Sequence, residues 1–185
     1  IKAVARGKDQ IAAERASEII DGGGMFLMPG MVEGHCHPSF VGISTNAELG
    51  RVPPERHTIL TAANVKLLLD YGFTSIFEAA SAKPMIGVAI RDAINEGVIP
   101  GPRMRASSPE VTATAGLGDE RRRHIHEESF GLTADGAVEF RKVARECIRD
   151  GVDNMKINIS GDEFVSHARA EITTFRRACT NCQYA

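Results

Sequence analysis

Three times along this chain a stretch of helical length stops at a glycine, and the next residue is apolar and opens a β-like run: Gly72 into Phe73, Gly97 into Val98, Gly151 into Val152. Glycine takes the left-handed conformation that closes a helix without the steric penalty of a Cβ. The repeated order is helix, stop, strand, which is the punctuation of an α/β fold. Pro53 and Pro54 open the first helix, which is expected to run to about Tyr71 with Leu60, Ala63, Val65, Leu67 and Leu68 inward. The second starts at Pro84 and repeats Ile86, Ala89, Ile90, Ala93, Ile94; the third spans about 134–150 and repeats Phe140, Val143, Ala144, Cys147, Ile148. Both follow i, i+3, i+4, i+7, i+8. Strands are predicted where an apolar run over 25–32 leads into 33–37, at 73–78, at 103–107 and at 152–160. Strands alternating with helices of this length imply a mainly parallel sheet. A glycine- and charge-rich loop is expected over 108–132, far longer than the usual βα connection. Residues 1–24 read as part of a small β unit, with β-like pieces at 1–5 and 18–21.

Composition narrows the function class. The chain has 185 residues, 43% hydrophobic and 25% charged, the balance of a packed globular protein. Lys and Arg number 22 against 24 Asp and Glu, a net charge of -2, so no basic footprint for nucleic acid or anionic membrane covers the whole surface. A small-molecule ligand fits better. Pro29 and Gly30 interrupt the oiliest stretch, so neither a membrane span nor a signal peptide is expected in the sequence given. Four cysteines are too few for a disulfide-stapled domain, which favours a reducing, cytoplasmic setting.

Residues two apart on a strand share a face, so Glu33, His35 and His37 point one way and Val32, Gly34 and Cys36 the other. Two imidazoles at that spacing can bind one borderline metal such as zinc, although the same pair also occurs by accident on surfaces. Their place at the C-terminal end of a buried strand, where α/β folds bind ligands, favours the metal. On the last strand Met155, Ile157 and Ile159 alternate with Asn154, Lys156, Asn158 and Ser160. A lysine there either lies in water on an edge strand or, if buried, must be paired, held neutral or chemically modified.

Taken together, these elements resemble the amidohydrolase superfamily of metal-dependent hydrolases. The likeness is carried by Met28-Pro29-Gly30-Met31-Val32-Glu33-Gly34-His35-Cys36-His37, by Gly72-Phe73-Thr74-Ser75-Ile76, by Gly97-Val98-Ile99-Pro100-Gly101-Pro102-Arg103 and by Gly151-Val152-Asp153-Asn154-Met155-Lys156-Ile157. It looks most like the branch of Xaa-Pro dipeptidases (prolidases) and imidazolonepropionase-like enzymes. The resemblance implies a (β/α)8 TIM barrel, here its strands one to four over residues 25–175, beside the remnant of a small β-sandwich over 1–24, with an atypical tail over 176–185. It implies His35 and His37 as metal ligands, with one or two divalent ions such as zinc. Lys156 would be a third ligand, carboxylated if the centre is binuclear. It further implies hydrolysis of C–N bonds in small substrates, with dipeptides such as Xaa-Pro as one class, by a metal-activated hydroxide. Glu33 stands where the family usually has aspartate. The family's later histidines and its general-base aspartate have no counterpart, because four more βα units do not fit after Ser160. This chain alone is therefore expected to be a truncated half-barrel with little activity.

Lesser candidates lie elsewhere. His124, His126 and Arg123 in the long loop either belong to a solvated loop or, if that loop covers the site, recognise a substrate carboxylate. Cys179 and Cys182 form one isolated Cys-x-x-Cys, weak for zinc or redox chemistry; Cys36 is expected in the core, and His57 and His167 on the surface. Glu78, at the end of its strand, is expected either to reach the site or to cap a helix or make a salt bridge. The competing reading is a non-catalytic half-barrel that pairs its open sheet edges with a second copy. A nucleotide-binding domain is disfavoured because no Gly-x-Gly-x-x-Gly follows a strand.

Overall fold

The computed structural model describes residues 17–121, 124 and 129–161. These form β1 (Met31–Cys36), α1 (Asn46–Arg51), α2 (Pro54–Asp70), β2 (Phe73–Glu78), α3 (Ile86–Asn95), β3 (Arg103–Arg105), β4 (Ser107–Thr112), β5 (Leu132–Thr133), α4 (Gly136–Asp150) and β6 (Asn154–Ile157). Every ladder is parallel. One sheet has the order β1-β2-β3 and the other β5-β4-β6. The chain crosses from the first sheet to the second within one extended segment, since only Ala106 separates β3 from β4.

Apolar spacing explains the packing. Val65 of α2 and Ile86 and Ile90 of α3 bury against Ile76 of β2 and Met104 of β3, and each fully buried side chain of this size contributes roughly 1.5–3 kcal/mol. On the second sheet Val143 and Cys147 of α4 close over Val111. A third cluster, Leu49, Ala82 and Phe130, joins the segments beyond the strand ends. At the end of α4, Gly151 has φ +83°, the left-handed conformation expected of a helix-closing glycine.

Several expectations are corrected. The apolar run at 25–32 is not one buried strand: β1 begins only at Met31, and Phe26 and Leu27 are wholly exposed, because nothing among the described residues packs on them. Residues 18–21 form no strand, and residues 1–16 lie outside the described residues. The third strand does not stop at Ser107. It continues as β4, all six residues buried, so the loop starts after Thr112. Polar Ser108 and Glu110 disguise this strand, but their groups find partners inside: the Ser108 hydroxyl accepts from Lys156 N at 3.1 Å, and Glu110 Oε2 accepts from Asn158 Nδ2 at 2.7 Å. The inner face of α2 is His57, Thr61 and Val65, while Leu60 and Leu67 are exposed.

Candidate functional site

Pro38 cannot extend the ladder, so the chain leaves β1 in a 3-10 turn, Pro38–Phe40, that folds Phe40 back onto His37. The two rings stack with centroids 4.6 Å apart, and Phe40 in turn meets the edge of Phe130 at 5.9 Å. His35 lies one strand repeat earlier on the same face. Its ring centroid is 5.2 Å from that of His37, with the rings inclined at 75°. Glu33 shares that face and accepts a hydrogen bond from the His35 backbone N at 2.9 Å.

The second imidazole is oriented from behind. His37 Nδ1 lies 3.1 Å from the Ala80 carbonyl oxygen, which can only accept, so Nδ1 carries the proton and Nε2 keeps its lone pair. Burial lowers the pKa of His37, against the Ala80 hydrogen bond, and the positive charges of His35 and Lys156 lower it further. Neutral imidazole with a free Nε2 is the form a metal ion binds.

Lys156 approaches from the other sheet. It sits half-buried on β6, in register with Glu110 of β4. Its positive charge is the least of the causes that lower the His37 pKa. Asn158 shares the polar alternation of Lys156, as expected, whereas Glu110 on β4 is a member that the sequence reading does not single out. Asn158 donates both to Glu110 and, at 2.9 Å, to the Leu117 carbonyl, tying the loop after β4 to the end of β6. The signal was present in the alternation of Ser108, Glu110 and Thr112, but Pro109 in its midst reads as a strand breaker.

The remaining candidates are distributed differently. His124 is exposed, while Arg123, His126, His167, Cys179 and Cys182 lie outside the described residues. His57 is buried, not on the surface, with Nε2 2.5 Å from the Ser39 carbonyl oxygen. Cys36 packs against the first core cluster as expected, and its thiol is pushed up to about 12, chiefly by burial. Glu78 is fully buried and makes no salt bridge among the described residues; its carboxylate accepts from the Ser107 backbone N at 2.9 Å. Asp119, also buried, holds the β4 loop by accepting from Ala115 N at 2.8 Å and from Arg121 Nε at 2.7 Å. No group of three or more His, Cys, Asp or Glu side chains is placed to hold a metal among the described residues, so a centre here must draw on Lys156 or on groups beyond them.

No family model and no curated protein matches the chain. Solved structures do. An amidohydrolase structure matches with a TM-score of 0.74 at 24% identity, covering 94% of this chain and 44% of its own. A prolidase solved with N-methylphosphonate-L-proline matches at 0.70 and 24% identity, covering 83% of this chain and 40% of its own. The ochratoxinase of A. niger matches at 0.67 and 23% identity, covering 80% and 37%. The parallel strands of this chain thus have a fold similar to that of these amidohydrolase and prolidase structures, of whose length the chain spans about two fifths.

Proposed function

We propose that the chain supplies one side of the catalytic centre of a metal-dependent hydrolase acting on C–N bonds in small substrates, with Xaa-Pro-like dipeptides as the leading class. The observation that carries this reading is the neutral, pre-oriented His37, its ring 5.2 Å from that of His35 and within the field of Lys156. In this reading the strands are the first four of a (β/α)8 barrel, and a divalent ion such as zinc is held by His35, His37 and, once carboxylated, Lys156. Such an ion would polarise the scissile carbonyl and lower the pKa of a water. The protein's own part is to present two imidazole lone pairs and keep Nδ1 of His37 bonded to Ala80. It also holds Lys156 at the same face through β4, with Glu110 and Asn158 shaping the floor beside it.

Cobalt(II), whose visible absorption reports its ligands, tests the assignment. Titration of the protein should give a saturable spectrum that His35→Ala and His37→Ala each abolish; an unchanged spectrum in both variants would refute the ligand assignment. Hydrolysis of a panel of Xaa-Pro and N-acyl amino acid substrates with added zinc then reads out the activity. This chain alone is expected to turn them over marginally.

A second reading rests on exposed apolar surface at the outer strands. Val32 on β1 is 69% exposed and Ile159 just past β6 is 58% exposed, and both strands have one edge without a strand partner among the described residues. A self-associating, non-catalytic half-barrel would hide these edges. Sedimentation decides: a stable dimer that binds no cobalt favours this reading, and a monomer excludes it.

A further inference from the structure

His37 follows β1 of one sheet and Lys156 stands on β6 of the other, and among the described residues no ladder joins the two sheets and the chain passes between them only at Ala106. Something else must fix the spacing of the two residues. At the end of the strands away from the site, Asp153 does part of this work: its carboxylate accepts from Ala106 N at 2.7 Å and from Arg91 at 2.9 Å. At the site end, the bridging falls to four residues, Glu78 to Ser81. Glu78 Oε2 accepts from Ser107 N at 2.9 Å, and the Glu78 carbonyl accepts from Asn154 Nδ2 at 3.1 Å. The Ala79 carbonyl accepts from the Ser107 hydroxyl at 3.3 Å, and Ser81 N donates to the Ser108 carbonyl at 2.9 Å. All four bonds reach from the first sheet to the second.

The same four residues also face β1. Ala79 N donates to the Cys36 carbonyl at 2.8 Å, and the Ala80 carbonyl takes the proton of His37 Nδ1. The segment that orients His37 is therefore the segment that ties the sheets together.

A buried carboxylate at its root is expensive, because desolvation is repaid only in part and Oε1 has no hydrogen-bond partner among the described residues. An apolar residue would pack there more cheaply. What a carboxylate adds is an acceptor for Ser107 N and for the Ser81 hydroxyl, which in turn accepts from Gly87 N at 3.3 Å. Gly87 in the first turn of α3 completes the seat, since a Cβ there would fall 2.0 Å from Glu78 Oε2.

We infer that Glu78 is the positioning residue of the candidate site, setting the orientation of His37 and its distance from Lys156 by clamping residues 78–81 to β4. The inference rests on the reading of His35, His37 and Lys156 as one site, but its first test does not require a metal. Long-range 1H–15N correlations of the His37 ring in the metal-free protein at pH 8 should show the Nδ1–H tautomer. In Glu78→Leu, which removes both acceptor oxygens, the ring should become a mixture of tautomers, with cobalt affinity lowered roughly 10- to 100-fold, as for other outer partners of a ligating histidine. Ser81→Ala should give the same change in smaller measure. An unaltered His37 spectrum in Glu78→Leu overturns the inference; if that variant does not fold, an unaltered spectrum in Ser81→Ala overturns it. Failure of the metal reading is separately visible as cobalt binding that ignores His35→Ala, and the tautomer result still decides the role of Glu78.

Discussion

Changing the pH should expose the cost of burying Glu78. Its carboxyl is fully buried, and burial raises its pKa from 4.5 to about 7, against the hydrogen bonds from Ser107 N and the Ser81 hydroxyl that lower it. The folded state thus keeps a proton that the unfolded chain releases. Between pH 4.5 and 7 the native state binds more protons, so this group makes stability fall as pH rises, and the loss is complete above about pH 7. A shift of that size corresponds to about 3 kcal/mol. Other groups act in the opposite sense: burial lowers the pKa of His57 and His37, so their contribution grows as pH rises. Comparison with Glu78→Gln cancels these terms, because the amide does not titrate. Urea unfolding of both proteins at pH 4, 5, 6, 7 and 8 is the assay, and the stability of the variant relative to the native protein should climb by about 3 kcal/mol across the series. Parallel curves, with a difference that stays constant within about 0.5 kcal/mol, would refute the argument that the carboxyl is held protonated by its surroundings.

Other perturbations test the fold around the site. Gly151→Ala places a Cβ at φ +83° and should lower stability by about 1–2 kcal/mol in urea unfolding, with no effect on cobalt binding. Ile90→Ala removes a side chain 2% exposed in the core between α3 and the first sheet, and should cost about 2–5 kcal/mol by the same measurement. With its thiol at about 12 against an ordinary 9.0, Cys36 should alkylate roughly a thousandfold more slowly at pH 8 in the native state than in urea, as read by peptide mass mapping. A native rate within tenfold of the unfolded one would show that the thiol is open to solvent.

The order of helices and strands was legible because it is written in local chemistry. Gly72 and Gly151 end their helices in the left-handed conformation, and Ile86 and Ile90 mark the buried face of α3 by spacing alone. His35 and His37 share a face because strand geometry alternates, which requires no knowledge of the neighbours. The resemblance to amidohydrolases came from these short motifs and is matched by the fold. Elsewhere local pattern misled. A run as oily as 25–32 promises burial, yet Phe26 and Leu27 are exposed, while β4 with Ser108, Pro109 and Glu110 is buried throughout. Hydropathy describes what a residue would prefer, whereas burial depends on which surfaces arrive to cover it.

The sequence by itself determined a parallel α/β chain with two histidines aligned on one strand and a lysine on another, since period and punctuation are properties of neighbouring residues. Tertiary structure alone decided that Lys156 is among the charges acting on His37, that Ala80 selects the free nitrogen of that ring, and that Glu78 at the end of β2 reaches across to Ser107 of β4. Those relations join residues 29 to 119 positions apart and depend on strand order and on hydrogen bonds across the seam rather than on spacing along the chain.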